Sequence, residues 1–234
     1  MVGEKRTWAV VLAGGVGLRV GADRPKQLLD LAGRTVLERS LAAFVDHALV
    51  DDVVLVVPAT HRAAVAGVAG DHVLVIEGGA ERSDSTRAAV RALREAGAGD
   101  GDRVLVHDAA RPLVSGRIIS DVVQSLRAHD AVALLVPTPD TIVQVDPVTG
   151  LPGEPLPRAE LRRHQTPQGF GLGVLEEAHR AAADDREFAA TDDVTLVQRH
   201  VPQARVGVVE GEARNLKITD ATDLAVARAL VAED

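Results

Sequence analysis

Cysteine is absent from the sequence, aromatic residues are scarce, and the 26 Lys and Arg are outnumbered by 34 Asp and Glu. Without a thiol there can be no disulfide, iron–sulfur cluster, zinc–thiolate site or thiolate nucleophile. Any chemistry must come from carboxylates, amines, guanidinium groups, hydroxyls or imidazoles. Aromatic residues make up only 2% of the chain, and the net charge is −8 at pH 7. Sequence-independent nucleic-acid binding needs excess cations and stacking aromatics, so we do not expect nucleic acid as a partner.

Long hydrophobic runs are also missing. The apolar run at Trp8–Ala13 stops after six residues and is followed by glycines instead of a cleavage-like site. No other apolar run approaches the length needed to span a bilayer. We therefore expect no membrane association and a cytoplasmic location. The eight histidines show no metal-ligand spacing, so we assign no imidazole metal site.

Hydrophobic residues make up 46% of the chain, mostly as Ala, Val and Leu. Short Val-rich runs alternate with segments of helical period, which is typical of parallel strands covered by helices on both faces. The sequence thus predicts a single α/β domain over residues 1–234 with three layers. Helix starts are predicted at Thr35, at Ser83 or Asp84, at Ser115, and at Thr219 or Asp220. The predicted strands are Trp8–Ala13, Val53–Val57, Val73–Ile76, Val104–Val106, Val132–Val136 and Val206–Val209.

Residues 137–167 break this alternation. Prolines and a D-P-V-T-G turn replace the helical period there, and I-V-Q-V alternates weakly. A disordered surface loop is one interpretation. Because long structureless excursions are uncommon in compact domains, we favour a protruding β-arm.

A glycine-rich loop, V-V-L-A-G-G-V-G-L-R-V-G-A-D-R-P-K-Q, occupies residues 10–27. Glycines after a strand expose backbone N–H groups to which a polyphosphate can come close. A dinucleotide-binding fingerprint would need a small residue where Val20 stands, and the Gly-Lys-Ser/Thr of a Walker A loop does not occur. Arg19 and Lys26 instead suit charge neutralisation on a triphosphate. A strand-to-helix turn with solvated Arg and Lys remains the alternative.

A second glycine pair lies in E-G-G-A-E-R-S-D-S-T-R, residues 77–87. Its backbone donors and small hydroxyls are suited to reading a base edge or to capping a helix. Capping explains Ser83 or Asp84, but it does not explain two glycines beside Arg82.

The motif V-H-D-A-A-R-P, residues 106–112, ends the fourth predicted strand. Ligands of open α/β sheets bind outside the carboxyl ends of strands, so Asp108 and Arg111 should face the same crevice as the glycine-rich loop. Asp108 could hold a substrate hydroxyl or a magnesium shell, and an internal Asp–Arg pair is the alternative. We interpret His107 as structural.

The last motif, A-R-N-L-K-I-T, covers residues 213–219. Asn215, Lys217 and Thr219 alternate with apolar residues, which predicts that their side chains share one face. A lysine held there would bind a phosphate, although by itself it would be an ordinary surface lysine.

These motifs occur in an order that resembles the 2-C-methyl-D-erythritol 4-phosphate cytidylyltransferase family over nearly the whole chain. The resemblance implies a Rossmann-like nucleotidyltransferase core, a mostly parallel sheet flanked by helices, and a protruding β-arm. It also implies a Mg²⁺–CTP complex, a polyol phosphate as second substrate, and a homodimer in which each arm completes the partner's site. The matching segments are A-G-G-V-G-L-R with R-P-K-Q, G-G-A-E-R-S-D-S, V-H-D-A-A-R-P, P-D-T-I, R-A-E-L with Q-T-P-Q, T-D-D, and E-G-E-A-R-N-L-K-I-T-D-A-T-D-L.

The resemblance also implies a role for each matching residue. The arm departs from the family's V-D-R-x-x-L form, because L-P-G-E-P-L-P precedes Arg158, and Arg162 or Arg163 could take the place of Arg158. Metal binding is expected mainly on the CTP phosphates, with Asp108 as a possible ligand. By resemblance, the catalytic residues are Arg19, Lys26, Arg158 and Lys217, of which Arg19 and Lys26 act at the α-phosphorus. Substrate is expected to bind to Ala13, Gly14 and Gly15, and the cytosine is expected to be surrounded by Gly79, Arg82 and Ser85. Asp108, Arg111 and Lys217 are expected near the sugar phosphate and nucleotide, and the residues that recognise the methylerythritol phosphate are Thr141, Arg158 and Thr166.

The reaction implied is attack by the phosphate of 2-C-methyl-D-erythritol 4-phosphate on the α-phosphorus of CTP. Ribitol 5-phosphate cytidylyltransferases share the loop, the base-binding cluster and V-H-D-A-A-R-P, so ribitol phosphate is an alternative substrate. A non-catalytic nucleotide-binding module is a third reading. The presence of both Arg19 and Lys26 argues against that module, which would not need the pair.

Overall fold

The computed structural model describes residues 5–14, 25–70, 72–183, 185, 188 and 190–233. Strands in this part of the chain are β1 (Thr7–Leu12), β2 (Asp30–Leu31), β3 (Arg34–Thr35), β4 (Asp52–Val57), β5 (Val73–Glu77), β6 (Arg103–Asp108), β7 (Ala131–Pro137), β8 (Val143–Val145), β9 (Pro152–Pro155), β10 (Arg162–Gly171) and β11 (Val206–Glu210). The α-helices are α1 (Val36–Val45), α2 (Arg62–Ala69), α3 (Arg82–Glu95), α4 (Gly116–Ser125), α5 (Leu172–Ala182), α6 (Asp193–His200) and α7 (Ala221–Ala232).

The central sheet has seven strands in the order β11-β7-β10-β6-β1-β4-β5. All neighbouring pairs are parallel except those that β10 forms with β6 and β7. Each of the six predicted strands is present, with ends within two residues of the prediction. The predicted mostly parallel α/β sheet is therefore confirmed.

Helices cover both faces of this sheet because its strands are apolar on both faces. On one face, Val11 and Leu55 pack with Leu41 of α1 and Ile118 of α4. On the other, the core contains side chains of β1, β4 and β6 together with residues of α3, α5 and α6. A smaller cluster joins α7 to Leu31 of β2. Because helices cover both faces of the sheet, the loops meet at the ends of its strands.

The helix starts follow their capping residues. Thr35 caps α1 in a capping box with Glu38, and Ser115 and Asp220 accept hydrogen bonds from the first turns of α4 and α7, as predicted. The prediction for α3 was wrong. Glu81 is its N-cap, and Asp84 completes a capping box by accepting from the Glu81 N–H.

The segment predicted as an arm is divided between two structures. Strands β8 and β9 form a separate antiparallel hairpin, and residues 139–155 are exposed. Residues 162–167, by contrast, belong to β10, where Arg162 pairs with Pro137 in the central sheet. The predicted β-arm therefore exists, but its C-terminal boundary at residue 167 was wrong. In the described part of the chain, no helix is long and apolar enough to cross a membrane.

Candidate active site

A pocket of about 260 Å³ opens at the carboxyl ends of β1, β5 and β6. It lies where ligands of open α/β sheets bind, outside the carboxyl ends of the strands. All four sequence motifs that pointed to chemistry contribute to it. Its lining residues are Leu12, Gly14, Lys26, Gln27, Gly79, Ala80, Glu81, Arg82, Ser85, Asp108, Ala110 and Lys217.

Lys26 opens a short 3-10 helix, Lys26–Leu28, directly after Pro25. Its Nζ donates to the carbonyl oxygen of Ile218 at 2.9 Å. The adjacent Gln27 donates from Nε2 to the carbonyl oxygen of Ala13 at 3.0 Å. These two bonds join the segment that follows the glycine-rich loop to the end of β1 and to the segment that carries Lys217.

Asp108 lies between two cations at the end of β6. The Nζ of Lys217 is 2.8 Å from its Oδ2, and the Nε of Arg82 is 3.6 Å from its Oδ1. Burial alone would raise the pKa of Asp108, but the charges of Lys217 and Arg82 outweigh it and hold that pKa well below its ordinary value. Asp108 is therefore an anion that fixes the two cations.

Arg82 also contacts Asp193, a residue to which the sequence analysis gave no role. Its Nη1 donates to Asp193 Oδ2 at 2.6 Å. The other oxygen, Oδ1, lies 2.9 Å from Nε2 of His179, and both His179 and Asp193 are almost completely buried. Asp193 lies in the T-D-D segment, so its signal was present without an interpretation. No sequence signal pointed to His179, because a histidine among apolar helix positions is indistinguishable from an ordinary core residue.

His107 and Thr166 support Asp108 from inside the protein. Burial lowers the pKa of His107 to about 4, so its ring is neutral at pH 7. Its Nε2 lies 3.1 Å from the carbonyl oxygen of Arg111 and must donate there, which leaves Nδ1 to accept from the Thr166 hydroxyl at 3.2 Å. The Thr166 oxygen in turn accepts from the Asp108 N–H at 3.0 Å. The structural interpretation of His107 is confirmed.

The glycine pair after β5 allows close packing against the start of α3. A Cβ on Gly79 would collide with Cβ of Asp84, and one on Gly78 would lie 2.6 Å from the Ser85 hydroxyl. A larger residue fits at Gly79 only if the loop moves, and at Gly78 only if the Ser85 side chain gives way. The glycines therefore bring the backbone of the β5–α3 loop and Ser85 to the pocket wall.

Arg111 and Asn215 differ from the predicted arrangement. Arg111 donates to the carbonyl oxygens of Asn215 and His164 at 2.8 and 3.3 Å, while Asp108 forms its ion pairs with Lys217 and Arg82. Asn215 is fully buried and donates to the carbonyl oxygen of Thr166, so it does not share an open face with Lys217. The prediction that these side chains share one face was wrong because residues 213–219 form an irregular segment and not a strand.

Of the predicted arm residues, Thr166 contacts Asp108, whereas Thr141 and Arg158 do not line the pocket of their own chain. Thr141 and Arg158 are exposed, and Nη1 of Arg158 donates to the carbonyl oxygen of Pro139 at the base of the hairpin. Arg162 donates to the carbonyl oxygens of Ala159 and Leu161. None of these three side chains is among the lining residues of the pocket.

Four predicted residues of the glycine-rich segment have different outcomes. Gly14 lines the pocket. Ala13 is buried, and its carbonyl oxygen accepts from Gln27. Arg19 and Gly15 lie outside the described residues.

Within the described ranges, no three or more His, Asp or Glu side chains are grouped as metal ligands. Asp108 is the carboxylate among the lining residues that sits at a strand end, and its oxygens already contact two cations. Magnesium commonly binds through one or two carboxylates together with substrate phosphates and waters. The residues present fit an ion that arrives with a nucleotide better than an ion held by the protein alone.

A mostly parallel sheet with a cation-lined pocket at its strand ends is typical of Rossmann-like nucleotidyltransferases, and solved structures of such enzymes share this fold. The family model described as 2-C-methyl-D-erythritol 4-phosphate cytidylyltransferase matches residues 7–233. The chain belongs to this family of enzymes.

Individual relatives agree with the family. A 2-C-methyl-D-erythritol 4-phosphate cytidylyltransferase from Thermobifida fusca is 46% identical, and the match covers 97% of this chain and 93% of the relative. The bifunctional ribulose 5-phosphate reductase/CDP-ribitol pyrophosphorylase of Haemophilus influenzae is 35% identical over 96% of this chain and 48% of its own length. The crystal structure of 4-diphosphocytidyl-2C-methyl-D-erythritol synthase from Anaerococcus prevotii aligns with a TM-score of 0.83 at 26% identity, covering 97% and 99% of the two chains.

Proposed function

We propose that this chain transfers the cytidylyl group of CTP to 2-C-methyl-D-erythritol 4-phosphate and releases pyrophosphate, a step of non-mevalonate isoprenoid biosynthesis. The observation that carries the proposal is the pocket at the ends of the strands, which is lined by Lys26, Arg82 and Lys217 and in which Arg82 and Lys217 pair with Asp108. Family membership over residues 7–233 supplies the substrates.

The chemistry needs positioning and positive charge more than proton transfer. The attacking phosphate monoester is already anionic near neutral pH, so no general base has to activate it. Its oxygen forms a bond to the α-phosphorus, and the bond to the departing pyrophosphate breaks. Lys26 and Lys217, with Arg19, would stabilise the charge that develops on the phosphoryl oxygens.

Lys217 is suited to this role because Asp108 holds it in place. A lysine on a flexible stem loses rotamer entropy when it binds a phosphate, and an ion pair at 2.8 Å removes part of that cost in advance. The segment of Lys217 is further fixed where Ile218 accepts from Lys26. Lys26 and Lys217, which are far apart in the sequence, are thereby held in the same pocket.

We propose Mg²⁺ as the cofactor, bound mainly to the CTP phosphates, with Asp108 as the residue that could reach it. When bound, the ion would neutralise phosphate charge and orient the α-phosphate.

Cytosine recognition is proposed for residues 78–85. Reading the 4-amino group requires an acceptor and reading N3 requires a donor, and backbone groups beside Gly79 can supply both. Gly79 and Ser85 lie on the pocket wall, which supports this assignment. Equal turnover of CTP and UTP would contradict it.

We further propose a homodimer in which the exposed hairpin completes the site of the partner, so that Thr141 and Arg158 act on the substrate phosphate in trans. Neither residue lines the pocket of its own chain, which supports this proposal. Apolar side chains exposed on the hairpin, including Val145 at 55% and Leu151 at 66%, also need a covering surface. A single domain over residues 1–234 and a cytoplasmic location remain predictions.

The test measures pyrophosphate release with CTP, Mg²⁺ and one of two polyol phosphates. We expect turnover with 2-C-methyl-D-erythritol 4-phosphate. The relative whose name includes CDP-ribitol pyrophosphorylase makes ribitol 5-phosphate the necessary comparison. Higher kcat/KM with ribitol 5-phosphate would assign the second substrate instead, and release with neither would overturn the proposed reaction.

A further inference from the structure

His179 lies behind the pocket wall, on the buried face of α5. It is 3% exposed, and its Nε2 lies 2.9 Å from Oδ1 of Asp193, the first residue of α6. The contact joins α5 and α6, two of the helices that cover the same face of the sheet. Neither residue is among the lining residues of the pocket.

The contact with Asp193 decides which ring nitrogen of His179 acts as a hydrogen-bond donor. Nε2 faces a carboxylate oxygen, which can only accept, so Nε2 must carry the hydrogen. Nδ1 is buried and has no partner within the described residues. The Nε2–H of His179 is therefore a donor directed at Asp193.

Asp193 connects His179 to Arg82, which lines the pocket. Its Oδ1 is held by His179 and its Oδ2 by Nη1 of Arg82 at 2.6 Å. Arg82 in turn places its Nε 3.6 Å from Asp108, whose second oxygen holds Lys217. Both oxygens of Asp193 are thus used, so the carboxylate cannot rotate without losing a bond.

We propose that His179 is a positioning residue: its Nε2–H fixes the Asp193 carboxylate, which fixes Arg82 and through it the Asp108–Lys217 pair in the pocket. His179 touches no substrate. The inference rests on the proposed function, since it assigns a role in that reaction.

A packing role alone would not require a histidine. An aliphatic side chain could fill a buried site on an apolar helix face. Removing the donor, however, would leave a buried carboxylate oxygen unpaired, and the carboxylate would turn towards Arg82 to recover a partner. That turn would move the planar guanidinium whose Nε lies beside Asp108.

The experiment compares His179→Leu, His179→Gln and His179→Asn in the full-length enzyme. The amide nitrogen of Gln can reach the position of Nε2, whereas the shorter Asn cannot reach Asp193. We expect kcat to fall roughly tenfold in the Leu and Asn variants, the loss that corresponds to one directed contact, with little change in KM for CTP. The Gln variant should stay within about twofold of the wild type.

Leu175→Ala is the matched control, because Leu175 is fully buried one turn earlier on α5. It should lower the melting temperature at least as much as His179→Leu and leave kcat near the wild-type value. If kcat followed melting temperature across all four variants, the effect would be structural and the proposal would be overturned.

A double-mutant cycle with Asp193→Asn tests the route. If His179 acts through Asp193, His179→Leu should reduce kcat by less than twofold further in the Asp193→Asn background. Full additivity of the two losses would contradict the proposed chain of contacts.

A readout without substrate separates this inference from the proposed function. The chain has three lysines, Lys5, Lys26 and Lys217, so ¹³C-dimethylation of lysines gives few NMR signals to assign. The Lys217 signal should shift in His179→Leu and not in His179→Gln, with the Lys5 signal unchanged as reference. A Lys217 signal that is the same in all variants would refute the inference, even if the wild type turns over substrate. If the wild type shows no turnover, a shift confined to the Leu variant would still support the positioning of Lys217.

Discussion

The ammonium nitrogen of Lys217 lies 2.8 Å from a carboxylate oxygen of Asp108, although the two residues are 109 positions apart. Asp108 ends β6, and Lys217 belongs to the irregular segment that precedes α7. The segment is anchored on both sides of the lysine. Asn215 donates to the backbone of Thr166, and the N–H of Ile218 donates to the carbonyl oxygen of Ala110. The pair therefore belongs to a fixed framework, and it aims a cation at the pocket.

Replacement of Lys26 should affect the chemical step more than nucleotide binding. Lys26→Ala is expected to lower kcat on the order of 10²–10³-fold, as for the loss of one oxyanion donor, with a smaller change in the dissociation constant of CTP. Steady-state kinetics and CTP titration measure the two quantities. Lys5→Ala removes a lysine remote from the catalytic pocket and serves as control. A Lys26→Ala enzyme with unchanged kcat would remove Lys26 from the catalytic assignment.

A methyl group at Gly79 should damage the nucleotide site. The added Cβ would collide with Asp84 at the start of α3, so the β5–α3 loop must move. We expect the KM for CTP to rise on the order of tenfold in Gly79→Ala, the cost of roughly one hydrogen bond to the base. Gly67→Ala on α2 is the control, because its Cβ meets nothing within 4 Å and helix propensity favours alanine. Equal KM values in the two variants would argue against a close approach at Gly79.

The buried His107 should make stability depend on pH in a defined window. Burial lowers the pKa of His107 from 6.5 to about 4 in the folded protein. Between these values the unfolded chain binds a proton that the folded one does not. The free energy of unfolding should therefore decrease as the pH falls from 6.5 towards 4, with no further contribution from His107 below that. The limiting loss is about 3 kcal/mol.

Denaturant unfolding of the wild type and His107→Gln across pH 4 to 7.5 measures this contribution. Gln keeps a donor for the carbonyl oxygen of Arg111 but does not titrate in this range. The difference between the two curves isolates His107 from the other seven histidines. Parallel curves would show that His107 is not protected from protonation.

Complementation between inactive mutants tests the arm. Lys26→Ala and Arg158→Ala subunits are mixed after dissociation and then reassociated. If Arg158 serves the site of the partner, each mixed dimer has one intact and one doubly defective site. Random pairing makes half of the dimers mixed, so about a quarter of wild-type activity should return.

The opposite result is equally clear. If both residues served the site of their own chain, every site would keep one defect and mixing would restore no activity. Arg162→Ala in place of Arg158→Ala then identifies which arm arginine matters. Light scattering on the mixtures confirms that dimers have re-formed.

The sequence predicted those features that depend on local pattern. Val-rich runs located six strands of the central sheet, and the motifs around Lys26, Gly79, Asp108 and Lys217 meet at one pocket as expected from the rule for strand ends. The sequence could not predict features that depend on contacts between residues far apart in the chain. Strand β10 begins with two arginines and contains a proline, so only its pairing with β6 and β7 identifies it as part of the sheet.

The supporting residues of the site were hidden for the same reason. His179 shows its role only where α5 meets the start of α6, because its partner Asp193 lies on the other helix. Asn215 read as one of a row of exposed polar residues, but hydrogen bonds with Gln165 and Thr166 draw it inside. A buried polar side chain can be told from a solvated one only when its partners are known.

The position of β10 also has a consequence for the order in which the protein can be completed during synthesis. Strand β10 separates β6 from β7, although both precede it in the chain. A nascent polypeptide that ends before residue 162 has four strands of the central sheet that can pair, β6-β1-β4-β5, and the single strand β7, with no strand to join them, so β6 and β7 present unpaired edges. Such edges are sites of non-native pairing. Emergence of residues 162–171 from the ribosome is therefore the event that joins β7 to the other strands, and it also brings Thr166 beside Asp108.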